Sequence, residues 1–294
     1  MLENIPDTFL NTTSKEFRVL IAIENKMKFY EWVPIEEIAG FSGYNLKVTG
    51  HILSTLAQKK LIHRKVAAYE GYRIYFEAYY ILALKAFVER GSVNDIGEFI
   101  GVGKESRVYC AVGGMTNREV IIKFHTEGQM SFKKVRVKRE HLEDRKHLSW
   151  LYASRLAAKR EYDALKLLYP KVSVPEPIDH NRNAIVMAVL KGQALAHTKV
   201  DDPEWYLDQI LAQVKNAARL DFIHCDLSEF NIFVNPHGCE IFDWPQYVTF
   251  SHPNAEELLH RDVDNILTFF KKKYRVKRDI TEVMNSIMEL CQKK

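Results

Sequence analysis

The sequence predicts an α+β protein in two parts, a small helical domain with a β-hairpin and a larger two-lobed domain. Three observations support this prediction. Residues 15–76 follow the order helix, helix, turn, helix, hairpin. Residues 95–125 have strand periodicity around a glycine-rich turn. Residues 222–243 contain two short apolar runs that flank a turn marked by Pro236 and Gly238, with acidic and amide side chains beside them.

The composition is that of an ordinary soluble globular protein. The chain has 294 residues, 47% hydrophobic and 27% charged, which suffices for one small and one larger domain. Its net charge of +4 permits a nucleic-acid partner without requiring one. The four cysteines include no Cys-x-x-Cys pair, which argues against a disulfide framework and a zinc site and favours the cytoplasm. No secretion signal or bilayer-length apolar stretch is visible, so we expect no membrane association.

The first 90 residues have the element order of a winged helix-turn-helix domain. We predict helices over 15–26, 34–39 and 45–60, strands over 61–66 and 72–76, and a linking helix over 79–90 that is apolar on one side. The side chains that would face a nucleic acid lie on the third helix and the hairpin: Asn45, Lys47, Thr49, His51, Arg64, Lys65 and Arg73. A domain that binds protein, or that only braces its neighbour, is equally compatible with the sequence, because exposed polar residues are usually just solvated.

The stretch 222–243 carries the most specific chemical pattern in the chain. Asp226 and Asn231 precede the first apolar run, and Asp243 ends the second, so a hairpin would bring the three side chains together. Such a trio suits phosphoryl transfer. Asp226 would orient an attacking hydroxyl or water, and Asn231 and Asp243 would offer oxygen ligands to Mg²⁺. A polar loop between core strands is the alternative, and the complete spacing argues against it.

The glycine-rich turn over residues 101–106 predicts contact with phosphate. Gly101 and Gly103 would let backbone N–H groups approach phosphate oxygens, and Ser106 could donate its hydroxyl hydrogen. The turn is not a Walker A motif, because an acidic residue follows Lys104 where Ser or Thr is needed. Alone this signal is weak, since glycine-rich hairpins are common structural turns.

Lys123 interrupts the apolar strand 119–125, where its ammonium group costs desolvation free energy unless an anion meets it. We therefore expect it to hold nucleotide phosphates, with Glu161 of a helix over 148–169 as its partner. An edge-strand lysine that points to solvent is the alternative. Residues 127–147 are strongly basic and almost without periodicity, which predicts either a loop that grips RNA or a solvated charged helix.

Residues 184–190 predict a strand, and in a kinase this strand would be the hinge beside an adenine base. Met187 would pack behind it, and the backbones of Ala188 and Leu190 would face the base, although a plain core strand is compatible with the same side chains. About fifty residues remain after Asp243. An ordinary protein kinase uses more chain there for its activation segment and peptide platform, so this lobe is trimmed.

Together these motifs resemble the RIO-type atypical protein kinases, most closely their winged-helix subfamily, the archaeal form of the second RIO kinase. The segments that carry the resemblance are residues 101–106, 122–123, 159–162, 174–177, 224–231 and 241–246. Two positions depart from the family pattern. The family more often has glycine where Cys225 stands and an acidic residue where Ala188 stands.

The resemblance implies a winged helix-turn-helix domain over 1–90, followed by a trimmed two-lobed protein-kinase-like domain over 91–294, with lobes at 91–187 and 191–294. It implies ATP and Mg²⁺ as cofactors, with Mn²⁺ as a substitute, and Lys104 among the ATP contacts. It also implies serine autophosphorylation, with Ser131 as a candidate, and transient phosphorylation of Asp243. The expected protein is a cytoplasmic monomer that works with small-subunit pre-ribosomal RNA and proteins.

Two other functions remain open at this point. A small-molecule kinase of the aminoglycoside phosphotransferase type shares the His-x-Asp and Asn pattern, but it needs a roomy C-terminal substrate pocket. A nucleic-acid-binding scaffold whose kinase fold only binds ATP is the second. An Asp226→Ala variant separates the scaffold from the catalyst.

Overall fold

The computed structural model describes residues 4–67, 69–102, 106–126 and 149–292. Their contacts divide the chain into two compact units. Unit one comprises the described residues of Met1–Ala158 and Asp179–Val186, and unit two those of Lys159–Ile178 and Met187–Lys294. Within the described ranges, no helix combines the length and the apolar character needed to cross a membrane.

Unit one begins with a helical domain closed by a three-stranded antiparallel sheet of order β1-β3-β2. Its elements are α1 (Ile5–Leu10), α2 (Ser14–Lys26), β1 (Val33–Pro34), α3 (Ile35–Ser42), α4 (Leu46–Gln58), β2 (Ile62–Val66), β3 (Glu70–Ile74) and α5 (Phe76–Arg90). Thr13 and Glu16 form a capping box at the start of α2, and the Asn45 side chain caps α4 by accepting from the Val48 N–H at 2.9 Å. The winged-helix element order is as predicted, with α1 and β1 in addition.

Three local predictions for this domain are wrong. Phe76 begins α5 instead of ending a strand, because pairing with β2 stops at Ile74. Thr49 is buried and donates its hydroxyl hydrogen to the Asn45 carbonyl at 3.0 Å, so it cannot face a groove. The linking helix α5 is not apolar on one side only, since every residue from Ala78 to Leu84 is buried. A helix that is apolar all round belongs inside a core.

The larger part of unit one is a sheet of five strands, and the last two of these strands belong to this unit only in part. They are β4 (Asp95–Val102), β5 (Ser106–Gly113), β6 (Arg118–His125), β7 (Pro177–Asn181) and β8 (Ala184–Ala188), in the order β4-β5-β6-β8-β7. The β4–β5 pair has register shifts between Ile96 and Gly101, which places an irregular edge at the glycine-rich turn. Because β6 lies in the middle, its residues are shielded on both sides by backbone.

Arg182 connects this sheet to the winged-helix domain. It lies in the turn between β7 and β8, and its guanidinium donates to both carboxylate oxygens of Glu24 on α2 at 2.9 and 2.6 Å. It also donates to the Leu82 carbonyl of α5 at 3.1 Å. Both charged side chains are only 16% exposed, so this two-bond pair is largely removed from solvent.

Unit two is mainly helical, with one small sheet. Its elements are part of α6 (Ser149–Leu168), β9 (Gln193–Ala194), α7 (Pro203–Arg219), β10 (Ile232–Asn235), β11 (Gly238–Ile241), α8 (Ala255–Tyr274) and α9 (Ile280–Gln292). The sheet order is β11-β10-β9, and Asn235 pairs with Gly238 across a two-residue turn. The predicted hairpin is therefore present.

Candidate active site

The β10–β11 hairpin brings the Asn231 and Asp243 segments to the same end of the small sheet. Ile232 pairs with Ile241, and the Phe242 N–H donates to the Asn231 carbonyl at 3.1 Å. The Asn231 side-chain amide donates to the backbone carbonyl of Asp226 at 2.8 Å. The segments that carry the three predicted side chains are thus joined by direct hydrogen bonds.

Helix α8 fixes the loop around Asp226 from both sides. The Asp262 carboxylate, which is 1% exposed, accepts from the Cys225 N–H at 2.7 Å and from the Leu227 N–H at 3.1 Å. The neighbouring Arg261 donates to the Cys225 carbonyl. One buried side chain therefore holds the N–H groups of the residues before and after Asp226, which restricts the movement of this catalytic candidate.

Two residues of the site have left-handed backbone conformations. Cys225 and Asp243 each have φ of 67°. A residue with a Cβ pays about 1–2 kcal/mol there, and such strain is concentrated at functional sites. At Cys225 it offers a physical reason for the glycine that the family pattern more often has. The contacts from Asp262 and Arg261 hold Cys225 in this conformation.

His224 joins the Asp226 loop to the segment before Asp243. Its Nε2 lies 2.9 Å from the Phe242 carbonyl oxygen, and its Nδ1 accepts from the Asp226 N–H at 3.3 Å. The Phe242 carbonyl accepts a hydrogen bond from Nε2, and Nδ1 is the acceptor for the Asp226 N–H. The ring is buried and lies 4.5 Å from that of Trp244.

Arg160 of helix α6 holds the chain that follows Asp243. Its Nε donates to the Pro245 carbonyl at 3.1 Å, a terminal nitrogen donates to the Tyr247 carbonyl, and the guanidinium lies 4.8 Å from the Tyr247 ring centroid. Sequence reasoning gave no role to this arginine or to the Arg261–Asp262 pair. Two features of the sequence could have indicated them. Arg160 lies in the motif 159–162, and Arg261 and Asp262 lie in an amphipathic helix.

Burial shapes the ionisation of two groups near the site. It raises the pKa of the Asp262 carboxyl, against the opposing influence of His224 and of the backbone hydrogen bonds from Cys225 and Leu227. Burial likewise raises the pKa of the Cys239 thiol on β11 to about 12. That thiol stays protonated at neutral pH and serves as core packing.

The nucleotide candidates of unit one lie on the irregular sheet edge and on the central strand. Gly101 is in β4, and no atom of the described residues lies within 4 Å of the position where a Cβ would stand. Ser106 begins β5, and Lys123 is 6% exposed on β6. Lys123 is therefore not the exposed edge lysine of the alternative interpretation. The candidates Gly103 and Lys104 fall outside the described residues.

The remaining candidates belong to unit two. Glu161 is 1% exposed on α6, and its pairing with Lys123 stays a prediction. Strand β8 ends at Ala188, whose N–H donates to the Glu176 carbonyl at 2.9 Å. This N–H is therefore already used within the protein. Met187 is buried and Leu190 is partly exposed. The candidate Ser131 and the basic stretch 127–147 fall outside the described residues.

Some candidate nucleic-acid contacts of the winged-helix domain are exposed, and others already make contacts within the domain. Lys47 and His51 are exposed on α4, as predicted, whereas the cations of the wing interact with other residues of their own domain. Arg64 pairs with Glu70 at 2.5 Å. The charged groups of Lys65 and Arg73 lie 5.3 and 5.0 Å from the ring centroid of Trp32. This arrangement weakens the case for phosphate contacts at the wing.

Comparison with known proteins decides the family. A model of the RIO domain matches residues 107–283, and a model of the Rio2 N-terminal domain matches residues 9–90. The chain belongs to the RIO kinases, in their Rio2 branch. It is 37% identical to the RIO-type serine/threonine-protein kinase Rio2 of Methanocaldococcus jannaschii, with 91% of this chain and 100% of the relative covered. This finding confirms the family resemblance.

The chain is also similar to other Rio2 kinases. The chain is 39% identical to the serine/threonine-protein kinase rio2 of Schizosaccharomyces pombe, over 91% of this chain and 79% of the relative. It spans about half, 52%, of the Dictyostelium discoideum relative, with 37% identity over 92% of this chain. A crystal structure of the Rio2 kinase from Chaetomium thermophilum, an ADP/Mg²⁺-phosphoaspartate complex, has a TM-score of 0.82. That comparison has 33% identity and covers 95% of this chain and 88% of the other, which confirms the predicted fold class.

Proposed function

We propose that this RIO kinase is an ATP- and Mg²⁺-dependent serine kinase that autophosphorylates and also turns over ATP. The observation that supports this best is the clamp of Asp262 on both sides of Asp226, combined with the hydrogen bonds that join the Asp226, Asn231 and Asp243 segments. The structural relative bound to ADP/Mg²⁺ supports the same cofactors.

The residues of unit two fit a magnesium ion. The side-chain nitrogen of Asn231 donates to the Asp226 carbonyl, so the side-chain oxygen of Asn231 is the atom that would bind the ion. Asp243 adds a carboxylate, and Mg²⁺ favours such a sparse set of oxygen ligands together with phosphate and water. When bound, the ion would neutralise charge on the phosphates. Mn²⁺ prefers similar oxygen ligands and is the expected substitute.

The proposed reaction moves the γ-phosphoryl group of ATP to an acceptor oxygen and releases ADP. Asp226 would orient the hydroxyl of a serine acceptor, or a water, and accept its proton. The carboxylate of Asp243 is a second proposed acceptor, and hydrolysis of the resulting acyl phosphate would complete an ATPase cycle. The phosphoaspartate in the Chaetomium thermophilum complex supports this second route.

The residues that we propose to contact the nucleotide are those that the sequence predicts. The proposed phosphate contacts are Gly101, Gly103, Lys104, Ser106 and Lys123, and Glu161 would orient Lys123. The proposed base contacts are Met187 and the backbones of Ala188 and Leu190. We place the functional boundary between the winged-helix and kinase domains at residues 90–91.

The cellular role that we propose is work on small-subunit ribosome precursors, as a cytoplasmic monomer whose partners are pre-ribosomal RNA and proteins. Membership of the Rio2 branch supports this role and favours it over a small-molecule phosphotransferase.

The test is turnover of ATP by matched variants. Asp226→Asn removes the group that accepts the proton, and Asp243→Asn removes the metal carboxylate, so each is expected to lower the rate by at least about 100-fold. Asp264→Asn, an exposed carboxylate on α8, is the control and should retain activity. Wild-type rates of phosphate release and autophosphorylation in Asp226→Asn would show that Asp226 has no catalytic role.

A further inference from the structure

A cavity of about 510 Å³ opens beside the loop that carries Asp226. One wall is the continuation of this loop, and the other is the C-terminal half of α8. Its lining includes Ser228, Glu229, Asp264, Phe269, Lys272 and Lys273. The proposed phosphoryl transfer uses none of these side chains. The cavity begins two residues after Asp226, on a loop that Asp262 holds rigidly.

The end of α8 and the residues after it, which we call the basic rim, are strongly basic, and Lys272 and Lys273 of this segment line the cavity. Residues 271–278 contain six lysines and arginines, and all six are exposed. Two of them are engaged, since Lys273 donates to the Thr198 carbonyl at 2.9 Å and Arg278 lies 3.6 Å from both Glu204 and Asp208. The other four make no ion pair with any described residue: Lys271, Lys272, Arg275 and Lys277. Lysines in the last turn complement the helix dipole, but Arg275 and Lys277 lie beyond α8.

Aromatic rings lie near one cation of the basic rim, Lys273. Phe230, in the same loop, is 61% exposed, and its ring is 6.3 Å from that of His197. His197 directly precedes Thr198, whose carbonyl accepts from Lys273, so the aromatic pair adjoins the basic rim. Within the cavity, the ammonium group of Lys273 lies 5.1 Å from the ring centroid of Phe269. An exposed ring and unpaired cations on segments connected by the Lys273–Thr198 hydrogen bond suit a nucleic-acid strand, whose bases stack and whose phosphates bind lysine and arginine.

We propose that this cavity and its basic rim bind single-stranded RNA beside the catalytic loop. Phosphates would contact Lys272, Arg275 and Lys277, and an unstacked base would lie on Phe230. The inference rests on the proposed function, because it assigns the pre-ribosomal RNA partner to a surface of the kinase domain. An acidic peptide would use the same cations, but it would leave the exposed ring of Phe230 without a role.

The test measures the binding of a fluorescent single-stranded RNA of about ten nucleotides by anisotropy, as a function of salt. Each phosphate contact to a single strand contributes about 0.7 to the slope of log K against log salt. Lys272→Gln with Arg275→Gln and Lys277→Gln is therefore expected to reduce that slope by about 2 and to weaken binding by roughly 10- to 100-fold near 0.1 M salt. The control removes equal charge from exposed positions elsewhere in unit two, with Lys159→Gln, Lys166→Gln and Arg219→Gln.

A second variant tests the stacking contact. Phe230→Ala is expected to weaken RNA binding by roughly 5- to 100-fold, since a stacked base contributes about 1–3 kcal/mol. Phe29→Ala, which removes an exposed ring of the winged-helix domain, should bind like the wild type. Asp226→Asn should also keep the wild-type RNA affinity, so failure of this proposal can be told apart from failure of the proposed kinase activity.

Two results would overturn the RNA assignment. One is an equal loss of affinity and salt slope in the rim triple variant and its charge-matched control. The other is normal RNA binding by Phe230→Ala together with binding of a labelled polyglutamate peptide that the rim triple variant abolishes. The latter result would assign the surface to an acidic protein segment.

Discussion

Replacing the Asp262 carboxylate by an amide is expected to disable the catalytic loop. Asp262 accepts at 2.7 and 3.1 Å from the N–H groups on either side of Asp226 and is 1% exposed. Hydrogen bonds to a charged acceptor contribute about 1.5–3 kcal/mol each, and a buried donor left unpaired costs about 1–3 kcal/mol. Asparagine keeps one oxygen and turns an NH₂ group toward the second N–H, for a total cost of about 2–4 kcal/mol. If this free energy is lost from the correct positioning of Asp226 in the transition state, turnover decreases about 30- to 1,000-fold.

The assay is single-turnover ATP cleavage with Mg²⁺, with ATP affinity measured separately by calorimetry. Affinity should be unchanged in Asp262→Asn, because Asp262 acts on the backbone of the loop. Asp264→Asn is the matched control, since this carboxylate is two positions away and exposed. A wild-type rate in Asp262→Asn, or a rate no lower than that of Asp264→Asn, would refute the proposed clamp.

Three further predictions concern other contacts. Arg160→Met is expected to raise the Mg²⁺ concentration for half-maximal turnover about tenfold, because it removes two backbone hydrogen bonds from the segment after the metal ligand. Arg160→Lys should restore only part of this loss, and an equal effect of the surface variant Lys159→Met would contradict the prediction. Arg182→Leu should lower the free energy of unfolding in urea by about 2–4 kcal/mol, because it leaves Glu24 partly buried without its partner, and an unchanged midpoint would show the pair to be dispensable. Finally, burial raises the pKa of Asp262 in the folded protein. The free energy of unfolding should therefore decrease as the pH rises from the pKa of this group in the unfolded chain to its pKa in the folded protein. Activity, which needs the carboxylate, should fall as pH drops through that raised pKa, and Asp262→Asn should remove this part of the pH dependence of stability.

The features that the sequence predicts well are local. The hairpin at β10 and β11 is encoded in two short apolar runs and a Pro236 and Gly238 turn, and its register alone joins Asn231 to the segment before Asp243. The winged-helix order follows in the same way from helical and strand periodicity. The burial of Lys123 was also predictable, because this residue lies within an apolar strand.

The features that it predicts poorly depend on contacts between distant parts of the chain. Asp262 lies 35 and 37 positions from the two N–H groups that it binds, and Arg160 lies 85 and 87 positions from its two carbonyls. Each is one charged residue in an amphipathic helix, where such residues usually face solvent. The burial of Thr49 has a local basis instead, because its hydroxyl donates to the Asn45 carbonyl four residues earlier.

The most direct test of the nucleotide–metal site is calorimetry of ATP binding with and without Mg²⁺. The wild-type protein is expected to bind ATP more tightly when Mg²⁺ is present, and Asp243→Asn should lose this increment because it removes the metal carboxylate. Asp264→Asn should retain it. Equal ATP affinity of the wild-type protein with and without Mg²⁺, or no ATP affinity at all, would contradict the assignment of Asn231 and Asp243 as metal ligands.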